Sequence, residues 1–151
     1  MKKSYTDTSY YHIKHTSRYL KIYTKQIFKK ICTDISFDEY IALELVQEKG
    51  IMCQRDLAKM LLKDRANTGR IINLLKEKDY INIAVEEKNN YPVKNITITK
   101  KGKILADNIR NKLSPVINMA DEHFTEQDDK LLINLLTKIE NLLKRITKIE
   151  I

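Results

Sequence analysis

A chain of 151 residues that is 42% hydrophobic is long enough to bury one compact core, and three glycines with two prolines are too few for a loop-rich or all-β fold. The 28 Lys and Arg against 20 Asp and Glu leave a formal net charge of +8, which suits a polyanionic partner such as nucleic acid and equally a lysine-rich solvated surface. Cys32 and Cys53 stand far apart and form no Cys-x-x-Cys, which excludes a disulfide framework and a zinc knuckle; no apolar run nears the roughly 18 residues of a membrane span, and Ser4-Tyr5-Thr6-Asp7 follows Met1-Lys2-Lys3 where a signal peptide would turn apolar, so a cytoplasmic protein without membrane contact is expected.

In chain order, Ile13, Leu20, Tyr23, Ile27 and Ile31 fall on one stripe of a helix running from about Tyr10 to Lys30. Thr33-Asp34 ends it. Ser36-Phe37-Asp38-Glu39 has the form of a capping box, so a second helix starts at Ser36, turns Phe37, Tyr40, Ile41 and Leu45 inward, and stops at Gly50. A short helix is predicted over Gln54–Leu61, with Leu57, Ala58 and Leu61 on its inner face. After a turn at Lys63-Asp64, a longer helix runs from about Arg65 to Lys78, with Thr68, Ile71, Ile72 and Leu75 on one side and Asn67, Arg70, Asn73 and Glu77 on the other. The period then changes to two. Tyr80–Val85 and Asn95–Thr99 alternate around the polar segment Glu86–Pro92, which reads as a β-hairpin. Thr99 caps another helix to about Leu113, and Ser114-Pro115 marks a kink or a restart. Thr125 and Asp128 cap the last helix, whose Leu132, Leu135, Leu136, Ile139, Leu142, Leu143 and Ile146 repeat at three and four with nothing left in the chain to cover them.

A short helix, a tight turn, a longer helix with a polar outer face and then a hairpin make the plan of a winged helix-turn-helix. The expected fold class is therefore α+β, mainly α: one domain over 1–151, with the reader at about 36–102 and a helical dimerisation region from both chain ends, about 8–33 and 103–150. Arg70 and Asn67 lie on the outward face of the reading helix, where arginine suits guanine and asparagine suits adenine, and Asn73 continues that face. Lys63 and Arg65 stand at the helix start, a usual place for phosphate contacts. Between Gly50 and Gly102 there are eleven Lys or Arg and six Asp or Glu, so +5 of the total +8 falls on the presumed reader.

Four segments carry a resemblance to the MarR family of transcriptional regulators over roughly residues 10–147. Phe37-Asp38-Glu39-Tyr40 to Gln47 looks like the family's second helix, and Gln54-Arg55-Asp56-Leu57-Ala58 resembles its Q-x-x-L-A helix. Thr68–Lys78 resembles its recognition helix, and Ile98-Thr99-Lys100-Lys101-Gly102 its L-T-x-x-G after the wing. The resemblance implies a homodimer that binds a pseudo-palindromic operator in double-stranded DNA, as a repressor sooner than an activator, with a small-molecule effector that shifts the spacing of the two reading heads. Two features depart from the pattern. Asp79 stands where the family has glycine, and the wing's Asp-x-Arg is replaced by Asn90, Tyr91 and Pro92, which leaves Lys88 and Lys94 as the wing cations.

No Gly-rich phosphate loop, H-E-x-x-H or G-x-S-x-G is present, so no enzyme is expected. His12 and His15 are three apart on the first helix, yet the helix after the wing offers Asn108 and Lys112 rather than histidine, and no metal or cofactor is expected. Cys53 falls at a helix start, where N–H groups favour a thiolate sensor, and Cys32 follows the first helix; for both, a small buried or capping residue is the preferred reading over a redox role. The rival to DNA binding is a winged-helix protein-interaction module that has lost its operator, with the missing wing arginine in its favour.

Overall fold

The computed structural model describes residues 4–31, 34–88 and 91–147. After a single 3-10 turn, Tyr5–Asp7, the elements run α1 (Ser9–Ile31), α2 (Phe37–Lys49), β1 (Ile51–Cys53), α3 (Gln54–Leu61), α4 (Arg65–Glu77), β2 (Ile81–Lys88), β3 (Tyr91–Ile98), α5 (Lys100–Asp121) and α6 (Glu126–Ile146). Local chemistry sets most of these boundaries. At the start of α2 the Glu39 N–H donates to Ser36 Oγ at 3.3 Å, while the Ser36 N–H donates to Glu39 Oε2 at 3.3 Å, the reciprocal pair expected of a capping box. Gly50 ends α2 at φ 78°, a left-handed conformation that glycine reaches without a Cβ penalty. Thr125 and Asp128 repeat the capping box at the start of α6.

The core gathers around α2. Its Tyr40, Ala42, Leu43 and Val46 are buried with Leu57 of α3, Ile71, Ile72 and Leu75 of α4, and Met52, Ile81 and Ile96 of the sheet; Phe28 of α1 and Ala106, Ile109 and Leu113 of α5 belong to the same core. The inward set of α4 is Thr68, Ile71, Ile72 and Leu75, as its periodicity predicts. In contrast, α6 has no buried residue, and α1 has only Phe28.

Three features differ from the sequence reading. Ile51–Cys53 forms a strand, β1, which pairs antiparallel with β3 (Met52 opposite Ile96) and gives a three-stranded sheet in the order β1-β3-β2. Three residues are too few for alternation to register. The wing strands also extend further than their apolar alternation, through Lys88 and from Tyr91, because ladder pairing (Glu86 with Val93, Glu87 with Pro92, Lys88 with Tyr91) does not require apolar side chains. Pro92, without an N–H, falls in the part of β3 beyond the β1 pairing, where that strand has a partner on one side only. Finally, α5 runs without a restart through Ser114 and Pro115 to Asp121. Proline removes one backbone hydrogen bond there, but the turns before it are held by Ala106, Ile109 and Leu113 in the core.

Candidate nucleic-acid interface

The reading helix is placed by three locks. At its N-terminus Asp64 is the cap: its Oδ1 accepts the Asn67 N–H at 2.8 Å and its Oδ2 accepts the Asn67 side-chain amide at 2.6 Å. These bonds, the backbone one first, hold the Asp64 carboxyl below the usual carboxylate range. Across the helix-turn-helix, Gln54 Nε2 donates to the Arg65 carbonyl at 3.2 Å, and Gly69 leaves the space that this amide occupies. At the C-terminus Asp79 takes φ 59°, the left-handed conformation anticipated there. Its carbonyl accepts the Thr99 hydroxyl at 2.7 Å, and Thr99 Oγ1 in turn accepts the Gly102 N–H at 2.9 Å. A Cβ on Gly102 would stand 2.1 Å from the Tyr80 carbonyl oxygen, so the first turn of α5 rests directly on the base of the wing. The Q-x-x-L-A and T-x-x-G patterns thus have separate physical purposes: one clamps α3 on α4, the other clamps the wing on α5.

With its inner side so fixed, α4 presents Asn67, Arg70 and Asn73 exposed on the opposite face. Arg70 makes no ion pair among the described residues. Arg65 and Lys94 are also exposed, and they meet around one concavity of about 540 Å³ between α3, the start of α4 and the wing. Arg55 of α3 lines the same hollow. It was not among the sequence candidates, although its place next to Gln54, at the first turn of a helix whose inner face is Leu57 and Ala58, was a readable signal. Lys63 lies elsewhere: its Nζ is 2.8 Å from Asp38 Oδ2 at the first turn of α2. Lys88 closes β2 opposite Tyr91; its side chain, like Asn90 and Cys32, lies outside the described residues. Cys53 occupies the cap position of α3 without a side-chain capping bond, and its thiol donates instead to Asp56 Oδ2 at 3.1 Å. His15 stacks on Tyr11 with ring centroids 5.3 Å apart. Among the described residues no group of three His, Cys, Asp or Glu is placed to hold a metal.

A second concavity, of about 450 Å³, lies where α1, α2 and α5 meet. Its walls include Leu20, Tyr23, Phe37, Tyr40 and Leu113, with the carboxylates of Glu44 and Glu48 on α2. From α5, Arg110 grips Glu44 with Nη2 at 2.9 Å and Nε at 3.2 Å from Oε2, and also donates to Asp107 at 3.3 Å. Burial, followed by the charge and hydrogen bonding of Glu44, pushes the Tyr40 hydroxyl up to about 12.

A three-stranded antiparallel sheet that carries a helix-turn-helix on one side, with α4 exposed along its polar face and the β2–β3 hairpin beside it, defines a winged helix-turn-helix protein. No protein-family model and no curated protein matches the chain. Solved structures do. MepR of Staphylococcus aureus, solved in complex with DNA, aligns with a TM-score of 0.75 at 22% identity over 93% of this chain and 99% of its own. PcaV of Streptomyces coelicolor, solved with its natural ligand, gives 0.74 at 11% identity over 93% and 98%. A cysteine-to-serine mutant of Escherichia coli MarR, complexed with operator DNA, gives 0.73 at 13% identity over 91% and 99%. The chain has the winged-helix fold of the MarR-type regulators, and its similar structures are regulators rather than enzymes.

Proposed function

We propose that this protein is a sequence-specific, double-stranded DNA-binding transcriptional regulator, not an enzyme, which acts in the cytoplasm as a homodimeric repressor released by a small ligand. The observation that carries the proposal is the division of α4. Thr68, Ile71, Ile72 and Leu75 are locked in the core, while Asn67, Arg70 and Asn73 are exposed on the face that a major groove would receive. Arg55, Arg65 and Lys94 gather beside it, where a phosphate backbone would pass. In this reading Arg70 and Asn73 read bases with Asn67, and the wing with Lys94 and Lys88 supplies phosphate contacts. Lys63 joins them once it leaves Asp38. No described helix is long and apolar enough to cross a membrane. The MepR and MarR structures hold DNA and the PcaV structure holds a ligand, which supports both halves of the reading by fold analogy.

The test is a selection from genomic fragments followed by fluorescence anisotropy with selected and scrambled duplexes across a salt series. A selected duplex bound with much higher affinity than the scrambled one, with half-site centres about 34–36 Å apart, is the expected result. Equal binding of both duplexes at every salt would overturn it. One observation favours the second reading, a protein-interaction module that has lost its operator: Asn90, Tyr91 and Pro92 stand where the resembled family carries its wing Asp-x-Arg. An empty selection would put that reading first.

A further inference from the structure

Helix α1 is more positive than the whole reader. Between Ser9 and Ile31 it has six Lys or Arg and no Asp or Glu, a charge of +6, against +5 over Gly50–Gly102. Five of the six, Lys14, Arg18, Lys21, Lys25 and Lys29, follow one another at spacings of four, three, four and four. At 100° per residue they form one straight stripe about 22 Å long. All five are exposed, and none makes an ion pair among the described residues. Like charges three and four apart on a helix repel, so the stripe opposes the helix that carries it. An ordinary solvated face mixes signs instead, as α6 does where Lys130 pairs with Glu126. The stripe also points away from what α1 packs on. Leu20, Tyr23 and Ile27 share the other side of α1 and face Phe37, Tyr40 and Ile41 of α2. On α2 those three stand opposite Ala42, Leu43 and Val46, which are buried in the core with Leu57 of α3 and Ile71 and Ile72 of α4. α1 and the reading helix therefore lie on opposite sides of α2, and the stripe is on the outer side of α1. A second copy that covers Leu20 and Tyr23 leaves it in water.

We propose that the outer face of α1 binds the phosphate backbone of double-stranded DNA without regard to sequence, and that it takes a segment other than the one on α4, so that the protein holds two duplexes together. Lys and Arg clustered along one helix face are the electrostatic footprint of such a surface. The stripe contains no Asn or Gln to read a base edge, so its contacts position DNA and do not select it. Duplex DNA carries one charge per about 1.7 Å of its axis, so each of the five cations finds a phosphate within the length of the stripe. Both partners are stiff rods and lose little freedom on meeting, whereas a single strand would first have to be straightened. An anionic membrane would need an apolar face beside the cations, and that face of α1 is turned onto α2. The inference goes beyond the reader: it needs α4 and the wing to hold a duplex, but not to distinguish sequences.

The experiment uses the full-length protein in two steps. Fluorescence anisotropy with a scrambled duplex across a salt series starts from a reader variant, Arg55→Ala with Arg70→Ala and Lys94→Ala, which should keep salt-dependent binding. Adding Lys14→Gln, Arg18→Gln, Lys21→Gln, Lys25→Gln and Lys29→Gln should weaken that binding roughly tenfold or more and lower the salt slope by about three to five. Adding Lys130→Gln, Lys138→Gln, Lys144→Gln and Arg145→Gln on α6, which removes charge elsewhere, should change it far less. In the second step, beads that carry one duplex are saturated with protein and offered a second, labelled duplex. Wild type should capture it; the five α1 changes in an intact reader should leave bead binding and abolish capture. No loss in the α1 variants, an equal loss in the α6 control, or tighter binding of a single strand or of phosphatidylglycerol vesicles would each overturn the proposal. So would a fall in mass on light scattering in the α1 variant, which would assign the stripe to acids of a second copy. Acetylation of Lys14, Lys21, Lys25 and Lys29 in the wild type, read by mass spectrometry, should be slowed by scrambled duplex, and this decides the matter if the α1 variant does not fold. Reader binding without capture sinks this inference alone, and capture with selected and scrambled duplexes bound alike sinks the operator reading alone.

Discussion

Asn67 serves two masters at the residue scale. Its side-chain nitrogen donates to Asp64 and so helps to cap α4, which leaves its carbonyl oxygen uncommitted. Bidentate recognition of adenine uses the carbonyl oxygen and one amide hydrogen, so Asn67 can read a base with its second amide hydrogen only in an orientation that the bond to Asp64 already restricts, whereas Arg70 makes no ion pair among the described residues. The sequence could place both residues on the outer face of α4, since that follows from a 100° rotation per residue. It could not show which was already occupied, because a cap and a base reader call for the same polar side chain. Tyr40 gives a separate prediction. Its hydroxyl titrates at about 12 in the fold against an ordinary value of 10.0, because burial first and Glu44 second disfavour the phenolate. The folded-state value is raised, so the stabilising contribution is complete below pH 10 and is lost as the pH climbs from 10 towards 12. Urea unfolding at a series of alkaline pH values should show stability falling through that window, and Tyr40→Phe should flatten the fall. An equally steep fall in Tyr40→Phe would assign it to another group.

At the scale of the elements, the helices were legible and the sheet less so. Helical faces repeat every few residues, over 13 residues in α4 and 21 in α6, and caps such as Ser36 with Glu39 mark where helices start. β1 left no trace, for its three residues become a strand only through pairing with β3. The basic hollow was legible in part: Arg65 and Lys94 were candidates by position, but they stand 29 positions apart, and only the hairpin register brings them to the same cavity with Arg55. Two predictions belong here. Gly102→Ala should destabilise the protein by about 1–3 kcal/mol or more, because the new methyl overlaps the Tyr80 carbonyl, which is backbone and cannot rotate away. A lower urea midpoint is the expected reading, and an unchanged one would contradict the close approach. The second concerns DNA. Arg70→Ala should cost about 1–3 kcal/mol per half-site on a selected duplex and leave scrambled duplex binding nearly intact. Arg55→Ala and Lys94→Ala should weaken both duplexes alike and lower the salt slope by about one for each phosphate contact removed. A selected-to-scrambled ratio that Arg70→Ala leaves unchanged would remove Arg70 from the base readers.

At the scale of the whole molecule, both chain ends expose more apolar surface than a stable monomer would leave wet. On α6, Leu132, Leu135, Leu136, Leu142, Leu143 and Ile146 are all exposed, by 36–68%; on α1, Tyr19, Leu20, Ile22 and Tyr23 are exposed as well. Each such side chain withdrawn from water contributes roughly 25 cal/mol per Å² of apolar area, so contact between two copies through α1 and α6 is the economical solution. The proposed regulator needs that contact for a second reason. One reading helix spans a few base pairs, and a palindrome is recognised well only when two readers are tied together. Tethering makes the second binding event intramolecular and raises affinity by roughly 10²–10⁴-fold without a new contact to DNA. Leu135→Glu combined with Leu142→Glu places charges in the α6 stripe and touches nothing in the core around α2, α3 and α4. Light scattering should find the wild-type protein at twice the 17.8 kDa chain mass and the double variant at that mass itself. The variant's affinity for a selected duplex should fall by roughly 10²–10⁴-fold, while its affinity for a single half-site should match that of the wild type. A monomeric variant that keeps full affinity for the whole operator would separate DNA reading from dimerisation, and a wild-type protein that is itself monomeric at micromolar concentration would leave the stripe on α6 to another partner.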